Sequence, residues 1–174
     1  MTGWSLRPGR AADAAILVGI ERRACELLRG HEAYPVFARS TLAADDHVEA
    51  AARGRLWVAE SGGRAVGYAL YSCVDGQAYL VQMDVDPDHG RRGMGRALLE
   101  HVCASAAGEG FERITLVTLR DVPWNASFYA SAGFEVLEPA RYTPSMHAML
   151  AEERGLGFPM HLRVVMQRWL GRPG

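Results

Sequence analysis

Cysteine is scarce in this chain, and the cysteines it has lie far apart. Three occur among 174 residues, at Cys25, Cys73 and Cys103, with no Cys-x-x-Cys spacing. An odd, widely spaced set excludes a disulfide framework and predicts reduced thiols in a cytoplasmic protein. The six histidines show no His-x-x-x-His spacing, so the sequence predicts no metal site.

Long hydrophobic runs and a net charge of either sign are also missing. The longest apolar stretch, residues 14–20, is far shorter than the roughly 20 residues of a membrane-spanning helix. The N-terminus has no basic region leading into an apolar core and a cleavage site. A net charge of -1 attracts the chain as a whole neither to nucleic acid nor to an anionic membrane. We expect a soluble protein with neither partner.

The sequence does contain alternating strand and helix patterns. With 49% apolar residues, the chain can bury the core of a single domain over residues 1–174. Turn signals at Gly62-Gly63 and Asp75-Gly76 join the early strands into an antiparallel set. A strand-helix-strand crossover predicts that the strand at 114–119 runs parallel to the one at 78–85. Strands are predicted at residues 4–7, 56–60, 65–74, 78–85, 114–119, 134–137 and 162–169, and helices at 11–28, 35–53, 95–108, around 129, and at 145–154.

The most informative stretch is residues 83–99, where an apolar strand stops at Pro87, a loop rich in Gly and Arg follows, and a helix begins. The first N–H groups of a helix have no intrahelical partner and lie at the positive end of the helix dipole, so they favour a phosphate. Gly93 and Gly95 lack a Cβ, which lets a phosphate approach the backbone closely. The stretch is therefore typical of an anion cradle.

Positive charge is concentrated at this cradle by Arg91, Arg92 and Arg96. These arginines are either a solvated helix start or the partners of an anion, and a bound anion would offset the unfavourable placement of cations at a helix N-terminus. A P-loop is excluded because no Gly-Lys-Ser/Thr ends the loop. A dinucleotide fingerprint is excluded because Leu98 occupies its third small position.

Two segments resemble the GNAT superfamily of N-acetyltransferases. Residues 90–95, followed by Arg-Ala-Leu-Leu, are similar to the family's acetyl-CoA loop, Gln/Arg-x-x-Gly-x-Gly/Ala, except that Gly90 replaces the first side-chain donor. Residues 123–134 are similar to the family's Asn-x-x-x-x-Tyr-x-x-x-Gly-Phe segment, with Tyr129 as its tyrosine. The order of elements also matches the GNAT plan, which implies a mixed α/β fold with a central mixed sheet of about seven strands, an antiparallel N-terminal half and helices on both faces.

The resemblance implies acetyl-CoA as cosubstrate and no metal. The loop would hold the pyrophosphate, and the pantetheine arm would pair with the strand before the loop, where a backbone N–H holds the thioester carbonyl. Asn125 is either a further cofactor contact or a helix N-cap or surface residue, since the family's usual CoA-contacting Asn corresponds to Val122. The cofactor-binding residues implied are Met83, Asp84, Val85, Arg91, Arg92, Gly93, Met94, Gly95, Arg96 and Asn125.

The resemblance gives Tyr129 a catalytic role. In the family the matching tyrosine lies near the CoA sulfur and protonates the leaving thiolate. A phenol with a pKa near 10 is still protonated at neutral pH and can protonate a thiolate whose conjugate acid has a pKa of roughly 8.5. The alternative is that Tyr129 is a core aromatic on a helix face.

The base that deprotonates the acceptor amine is absent from both positions where relatives carry it. Relatives that acetylate protein N-termini have a glutamate where this chain has Val117, and histone-acetylating relatives have one where it has Tyr79. The predicted substrate residues are Glu26 and His31, which lie in the helical region that covers the acceptor site in the family. The remaining candidates for the base are Glu32, Asp84 and water.

The acceptor is a primary amine, either a small molecule or a peptide terminus, and we expect a small molecule in preference to a protein. The predicted function is direct acetyl transfer by a monomer or homodimer, with a regulatory module that binds CoA with little or no catalysis as the alternative. The missing bases and Gly90 suggest the alternative, whereas Tyr129 in its motif favours the enzyme. The implied acceptor-side wall contains Arg141, Tyr142, Pro144, Met146, His147 and Met160.

Overall fold

The computed structural model describes residues 3–171. Its strands are β1 (Trp4–Pro8), β2 (Leu56–Ser61), β3 (Arg64–Val74), β4 (Gln77–Val85), β5 (Arg113–Leu119), β6 (Glu135–Val136) and β7 (Arg163–Trp169). Its helices are α1 (Ala14–Cys25), α2 (Tyr34–Arg39), α3 (Ala44–Ala52), α4 (Met94–Gly108), α5 (Ala126–Ser131) and α6 (Pro144–Leu156). The strands form a seven-stranded sheet in the order β1-β2-β3-β4-β5-β7-β6. The predicted mixed sheet of about seven strands, flanked by helices, is confirmed.

The contacts of the chain group into two compact units. The first holds the chain up to Ser72 together with Leu80–Ser105, and the second holds Cys73–Tyr79 together with the chain from Ala106 onward. A single domain over residues 1–174 stays a prediction.

The first unit is built on an antiparallel ladder of β1, β2 and β3. Leu6 faces Ala59 across the first pair of strands, and Val58 faces Tyr68 across the second. The turn between β2 and β3 places Gly62 and Gly63 at φ values of +56° and +75°, which is the conformation that a two-residue hairpin requires. The buried side chains of α1, α3 and these strands form one apolar core, which contains Leu17, Ile20, Ala50, Leu56, Val58, Ala65, Tyr68 and Leu70.

The predicted helix over residues 35–53 is two helices in the structure, α2 and α3, separated by residues 40–43. In this gap the Leu42 N–H donates to both carboxylate oxygens of Glu21, at 3.1 and 3.0 Å. The α3 helix then begins with the Asp46 side chain accepting the Ala43 N–H at 3.1 Å. Both carboxylates satisfy backbone donors that a helix start leaves unpaired, so the chain breaks here at little cost in hydrogen bonds.

The second unit contains the parallel pairing that the sequence predicted. Ala78 pairs with Ile114 and Tyr79 with Thr115, so the parallel direction of β4 and β5 is confirmed. The β5 strand also pairs antiparallel with β7, and β7 with β6. Asp75 accepts hydrogen bonds from Thr143 and Ser145 at the start of α6. This fixes the α6 N-terminus to the turn between β3 and β4.

Within residues 3–171, no helix is both long and apolar enough to cross a membrane. Nor does the range contain a group of three or more His, Cys, Asp or Glu side chains placed to hold a metal ion.

Candidate functional site

The loop between β4 and α4 contains a short 3-10 turn at Pro87–His89 that the sequence did not predict. The Asp86 carboxylate caps this turn by accepting the Asp88 N–H at 2.9 Å. Arg23 of α1 donates to Asp86 at 2.9 and 3.1 Å and to Asp88 at 2.7 Å. The loop is therefore anchored to α1 by three charge-assisted hydrogen bonds.

Beyond the turn, the backbone takes left-handed conformations just before α4. Arg91 has a φ of +60° and Gly93 a φ of +82°; such values are rare for residues with a Cβ and easy for glycine. The α4 helix begins at Met94, and the Ala97 N–H donates to the Gly93 carbonyl at 3.0 Å. Residues 91–93 are exposed and Met94 is buried. The loop thus presents arginines and the start of α4 to solvent while a buried methionine anchors it.

The end of β4 lies close to the backbone of β3. A Cβ on Gly67 would lie 3.1 Å from the Asp84 carbonyl oxygen and 3.2 Å from Cγ2 of Val85. Glycine at position 67 therefore permits this approach, because a larger residue would push the strands apart. Met83, Asp84 and Val85, the predicted pantetheine-binding residues, are all partly exposed.

The Asp84 side chain belongs to a cluster of two carboxylates and one phenol inside the first unit. Tyr68 Oη lies 3.3 Å from Asp84 Oδ2 and 3.5 Å from Glu21 Oε2. Asp84 also accepts a hydrogen bond from the Gln82 amide at 2.8 Å. Tyr68 is fully buried and Glu21 is 8% exposed. The cluster therefore holds two acidic groups in a largely dry environment.

Burial changes the acidity of each group in the cluster. Burial, with repulsion from Asp84 added to it, raises the pKa of Glu21 to about 7. Burial likewise raises the pKa of Asp84 to about 6, although hydrogen bonds from Gln82 and Tyr68 lower it. Burial and the two carboxylates raise the pKa of Tyr68 well above its usual value. Both carboxyl groups therefore titrate near neutral pH, with Tyr68 protonated throughout.

Glu21 was not predicted as a site residue from the sequence, although the sequence contains a signal for it. Glu21 lies on the same face of α1 as Leu17, Ile20 and Ala24, where helical periodicity predicts an apolar residue. A carboxylate on the buried face of a helix is costly unless hydrogen bonds or protonation compensate it. An acid on an apolar stripe could therefore have identified Glu21 as a buried titratable group.

The raised pKa of Glu21 predicts a stability effect for Glu21→Gln. Because the folded-state pKa is about 7 and the ordinary value is 4.5, the stability associated with protonated Glu21 is fully present below pH 4.5 and is lost as pH rises through 7. This shift corresponds to about 3 kcal/mol. We expect Glu21→Gln to be more stable relative to wild type at pH 8 than at pH 5 by an amount of that order. Urea unfolding at both pH values measures it, and an equal difference at the two pH values would contradict the assignment.

The two predicted substrate residues lie in the first unit in different settings. Glu26 is exposed, accepts from Arg29, and accepts from Tyr34 Oη at 2.8 Å. The hydrogen bond from Arg29 lowers the pKa of Glu26, and that from Tyr34 lowers it further, which makes this carboxylate a weaker base than usual. His31 Nδ1 accepts the Ala33 N–H at 3.0 Å.

Tyr129 lies in the second unit, in the short helix α5. Its backbone N–H donates to the Asn125 carbonyl at 3.0 Å, and its ring contacts the rings of Phe128 and Phe134 edge-on, with centroids 5.2 and 5.6 Å away. The residue is 9% exposed, so its ring is fixed by packing. Asn125 is the N-cap of α5 without a side-chain capping bond. Asn125 thus occupies the N-cap position that was one of its predicted alternatives, and its contact to cofactor stays a prediction.

Tyr79, which occupies the position of the base glutamate of some relatives, lies in the second unit. Burial raises the pKa of Tyr79 to about 12, with a further increase from Glu153 and a decrease from Arg163. Tyr79 is therefore protonated at any working pH and does not replace the absent glutamate as a base.

Among the residues of the implied acceptor wall, the rings of Tyr142 and His147 meet edge-on, with their centroids 5.5 Å apart.

Comparison with known proteins gives the same family as the sequence resemblance. Residues 52–136 match the model of the acetyltransferase (GNAT) domain. Over 72 residues the chain is 33% identical to the [ribosomal protein bS18]-alanine N-acetyltransferase of Escherichia coli strain K12. The matched segment is 41% of this chain and 49% of that protein. The chain thus spans about half the length of the curated relatives it matches.

Solved structures match over almost the whole chain. The PaiA N-acetyltransferase of Thermoplasma acidophilum in complex with coenzyme A has a TM-score of 0.70 at 15% identity, covering 95% of this chain and 98% of that one. The ribosomal-protein-S18-alanine N-acetyltransferase of Escherichia coli has a TM-score of 0.69 at 20% identity, covering 98% and 96%. N-acetylglutamate synthase of Neisseria gonorrhoeae, complexed with coenzyme A and N-acetyl-glutamate, has a TM-score of 0.71 at 18% identity, covering 97% and 35%. At these identities the likeness is one of fold.

Proposed function

The chain belongs to the GNAT acetyltransferases, and from this membership we propose that it transfers the acetyl group of acetyl-CoA to a primary amine. The observation that carries the proposal is the loop before α4, with Arg91 and Gly93 in left-handed conformations and arginines exposed beside a helix N-terminus. This combination suits a doubly charged pyrophosphate. The match of residues 52–136 to the acetyltransferase domain includes the loop.

In the proposed complex, the pyrophosphate of acetyl-CoA is bound by the backbone of Gly93, Met94 and Gly95. Arg91, Arg92 and Arg96 supply the neutralising charge. The anchoring of the loop by Arg23 supports this role, because a loop already fixed in its binding conformation loses little entropy on binding.

The pantetheine arm lies along the end of β4 in this proposal. Its amides pair with backbone groups of Met83, Asp84 and Val85 as an added strand would. A backbone N–H of this strand donates to the thioester carbonyl and stabilises the oxyanion of the tetrahedral intermediate. The amine attacks directly, without an acyl-enzyme, and holding both reactants together supplies much of the rate.

Tyr129 is the proposed general acid. When the C–S bond breaks, the phenol gives its proton to the CoA thiolate and then recovers one from the newly acylated nitrogen. Its fixed ring supports the role, since a general acid must stay within hydrogen-bonding reach of the leaving atom. Tyr129 occupies the tyrosine position of its GNAT-like segment.

The acceptor is a primary amine, and we propose a small-molecule amine as the first class to test. An apolar and aromatic wall containing Tyr142, Met146 and His147 would suit such a molecule. A peptide N-terminus is the second class, because the relative from Escherichia coli is named for the acetylation of a protein alanine.

The experiment is an acceptor panel with acetyl-CoA, followed by release of free CoA thiol. The panel contains phenethylamine, spermidine, L-glutamate and hexapeptides that begin with alanine or serine. All 19 basic residues of the chain are arginine, so acetylation of its own lysine side chains cannot contribute background. The three cysteines of the chain give a fixed offset, which a sample without acceptor measures.

Turnover with one class of amine supports the enzyme and identifies the acceptor class. CoA binding in calorimetry without turnover on any amine would favour the alternative, a CoA-binding regulatory module. Absence of CoA binding would contradict both.

A further inference from the structure

The cluster of Glu21, Tyr68 and Asp84 has one hydrogen fewer than its geometry needs. The Tyr68 hydroxyl lies between two carboxylates, 3.5 Å from Glu21 and 3.3 Å from Asp84. A phenol carries a single hydrogen and can donate it to one carboxylate at a time. With both carboxylates ionised, the second one faces the phenol oxygen without a hydrogen between them. The cluster is therefore arranged to bind one additional proton.

Bound to this proton, the three groups form a continuous hydrogen-bonded chain. A protonated Glu21 donates to Tyr68 Oη, and Tyr68 donates to the Asp84 carboxylate. The reversed chain has the proton on Asp84. Because the phenol can accept on one side while it donates on the other, a proton that arrives at Asp84 leaves an equivalent proton on Glu21.

The surroundings fix both ends of the chain. The Leu42 N–H holds the Glu21 carboxylate at 3.0 and 3.1 Å, and the Gln82 amide holds Asp84 at 2.8 Å. The His47 ring packs against the Tyr68 ring at 5.2 Å between centroids. These contacts hold the two carboxylates on either side of the Tyr68 hydroxyl, and small side-chain movements close the gaps of 3.3 and 3.5 Å to the length that proton transfer needs.

Some of the titratable groups around the cluster favour the ionised form of its carboxyl groups and others oppose it. Arg22 favours the ionised form of Glu21. The Cys25 thiol is half-buried, and burial, Glu26, Asp84 and Glu21 all raise its pKa, so it stays protonated. His47 bonds through Nδ1 to the Ala43 carbonyl at 2.9 Å. The two carboxylates are therefore the groups of the cluster that change charge near neutral pH.

We propose that Asp84, Tyr68 and Glu21 are the proton acceptor of this acetyltransferase. Asp84 takes a proton from the ammonium form of the acceptor, and Tyr68 relays one to Glu21. This role rests on the proposed acetyl transfer. The proton balance is complete. The ammonium loses one proton to the cluster, the free amine forms the C–N bond of the tetrahedral intermediate, and the C–S bond then breaks. The second proton of the nitrogen replaces the one that Tyr129 gives to the thiolate, and the cluster returns its own proton to water before the next turnover.

Position assigns the receiving end of the relay to Asp84. It lies in β4 between Met83 and Val85, the residues proposed to hold the pantetheine arm, and it is partly exposed, whereas Glu21 and Tyr68 are buried. An amine attacking a thioester held along this strand reaches Asp84 first, directly or through one water. Asp84 and Glu21 have pKa values of about 6 and 7, which make the pair a better base at neutral pH than an ordinary carboxylate.

The test compares Asp84→Asn, Glu21→Gln and Tyr68→Phe with wild type, using phenethylamine and an N-terminal alanine hexapeptide as acceptors. General-base catalysis predicts that kcat falls about a hundredfold in Asp84→Asn, with a smaller loss of about tenfold in the other two. Affinity for CoA stays unchanged in all three. Asp84→Glu, which keeps a carboxylate, restores most of the rate.

The pH dependence separates a proton acceptor from a merely structural group. The ratio of wild-type to Asp84→Asn rates is largest above pH 7 and shrinks below about pH 6, where Asp84 itself becomes protonated. Using the ratio removes the titration of the amine, which all variants share. A structural defect lowers the rate by the same factor at every pH.

Two matched controls lie in the same unit. Tyr71→Phe removes another buried phenol of β3, one that bonds to Ser105 at 2.8 Å, and Glu49→Gln removes an exposed carboxylate of α3 paired with Arg53. Neither changes the rate or its pH dependence. Similar losses in Tyr71→Phe and Tyr68→Phe would overturn the relay.

A titration without substrate tests the proton site independently of catalysis. NMR of ¹³C-labelled carboxyl groups should show Glu21 and Asp84 titrating near neutral pH, with the coupling between them altered in Tyr68→Phe. Ordinary carboxyl titration below pH 5 overturns the proposal. If Asp84→Asn and Glu21→Gln turn over at the wild-type rate, the relay is overturned and the proposed acetyl transfer stands. If the wild-type protein turns over no amine of the panel, both the relay and the proposed function are overturned.

Discussion

Tyr129→Phe should lower kcat by about a hundredfold or more, the range expected when a general acid is removed. The thiolate then has to leave without a proton or take one from water. The ring stays, so the edge-on contacts with Phe128 and Phe134 keep α5 in place. Affinity for CoA should stay the same, because the phenol acts on the sulfur only as the bond breaks. Steady-state rates and calorimetry on the same preparation measure both effects.

The matched control for this variant is Tyr79→Phe, which removes another phenol of the second unit. Tyr79 has a pKa of about 12 because it is buried and has no proposed part in the chemistry. Its kcat should match wild type. Equal rates for wild type and Tyr129→Phe across the whole amine panel would remove the general-acid role and leave Tyr129 as a core aromatic.

Gly93→Asp should abolish measurable CoA binding, with a loss of affinity of about a hundredfold or more, or about 3 kcal/mol. Two causes act together. The φ of +82° at Gly93 is unfavourable for any residue with a Cβ, and the new carboxylate would repel a pyrophosphate at the start of α4. Isothermal titration of CoA measures the change directly.

Gly63→Asp is the control for that substitution. Gly63 has a φ of +75°, and nothing lies within 4 Å of its Cβ position, so the backbone strain and the added charge are comparable while the residue lies in the β2–β3 turn. A drop in stability with normal CoA affinity is the expected result. If Gly93→Asp bound CoA as tightly as wild type, the loop before α4 would not be the pyrophosphate site. Both the acetyltransferase and the alternative of a CoA-binding regulatory module would then lose their basis.

Local signals explain why the strands and the cradle loop could be predicted. Both residues of Gly62-Gly63 and of Asp75-Gly76 have positive φ values. Tight hairpin turns require such values, and Gly and Asp at these positions therefore indicate the turns in the sequence. The helix after the loop begins at Met94, one residue before the predicted start. These turns and this helix start are determined by residues that are close together in the sequence, so the residue pattern predicts them.

Features that depend on tertiary contacts were not predictable in the same way. The gap between α2 and α3 exists with Leu42 bonded to a carboxylate 21 residues earlier, and the 3-10 turn at Pro87–His89 is tied to Arg23. In the Glu21–Tyr68–Asp84 cluster, Tyr68 contacts a carboxylate 47 positions earlier and another 16 positions later. Sequence analysis named Asp84 as a candidate base, but only packing shows that its side chain faces Tyr68.

Among the candidate bases named from the sequence, Glu26 and Asp84 lie in opposite settings. Glu26 is an exposed carboxylate paired with Arg29, and its pKa is lowered by that pairing. Glu21 is buried and Asp84 is partly exposed, and desolvation raises the pKa values of both carboxyl groups. The difference between the two settings is solvation, which no spacing of residues in the sequence reports.

The most direct test of acetyl transfer is to measure both products of one reaction, CoA thiol by absorbance and acetylated amine by mass spectrometry, with acetyl-CoA and each panel amine. We predict that one class of primary amine gives thiol and acetylated amine in equal amounts, and that Tyr129→Phe reduces both together. Thiol release without acetylated amine, or CoA binding with no product from any amine, would contradict the assignment of this chain as an amine acetyltransferase.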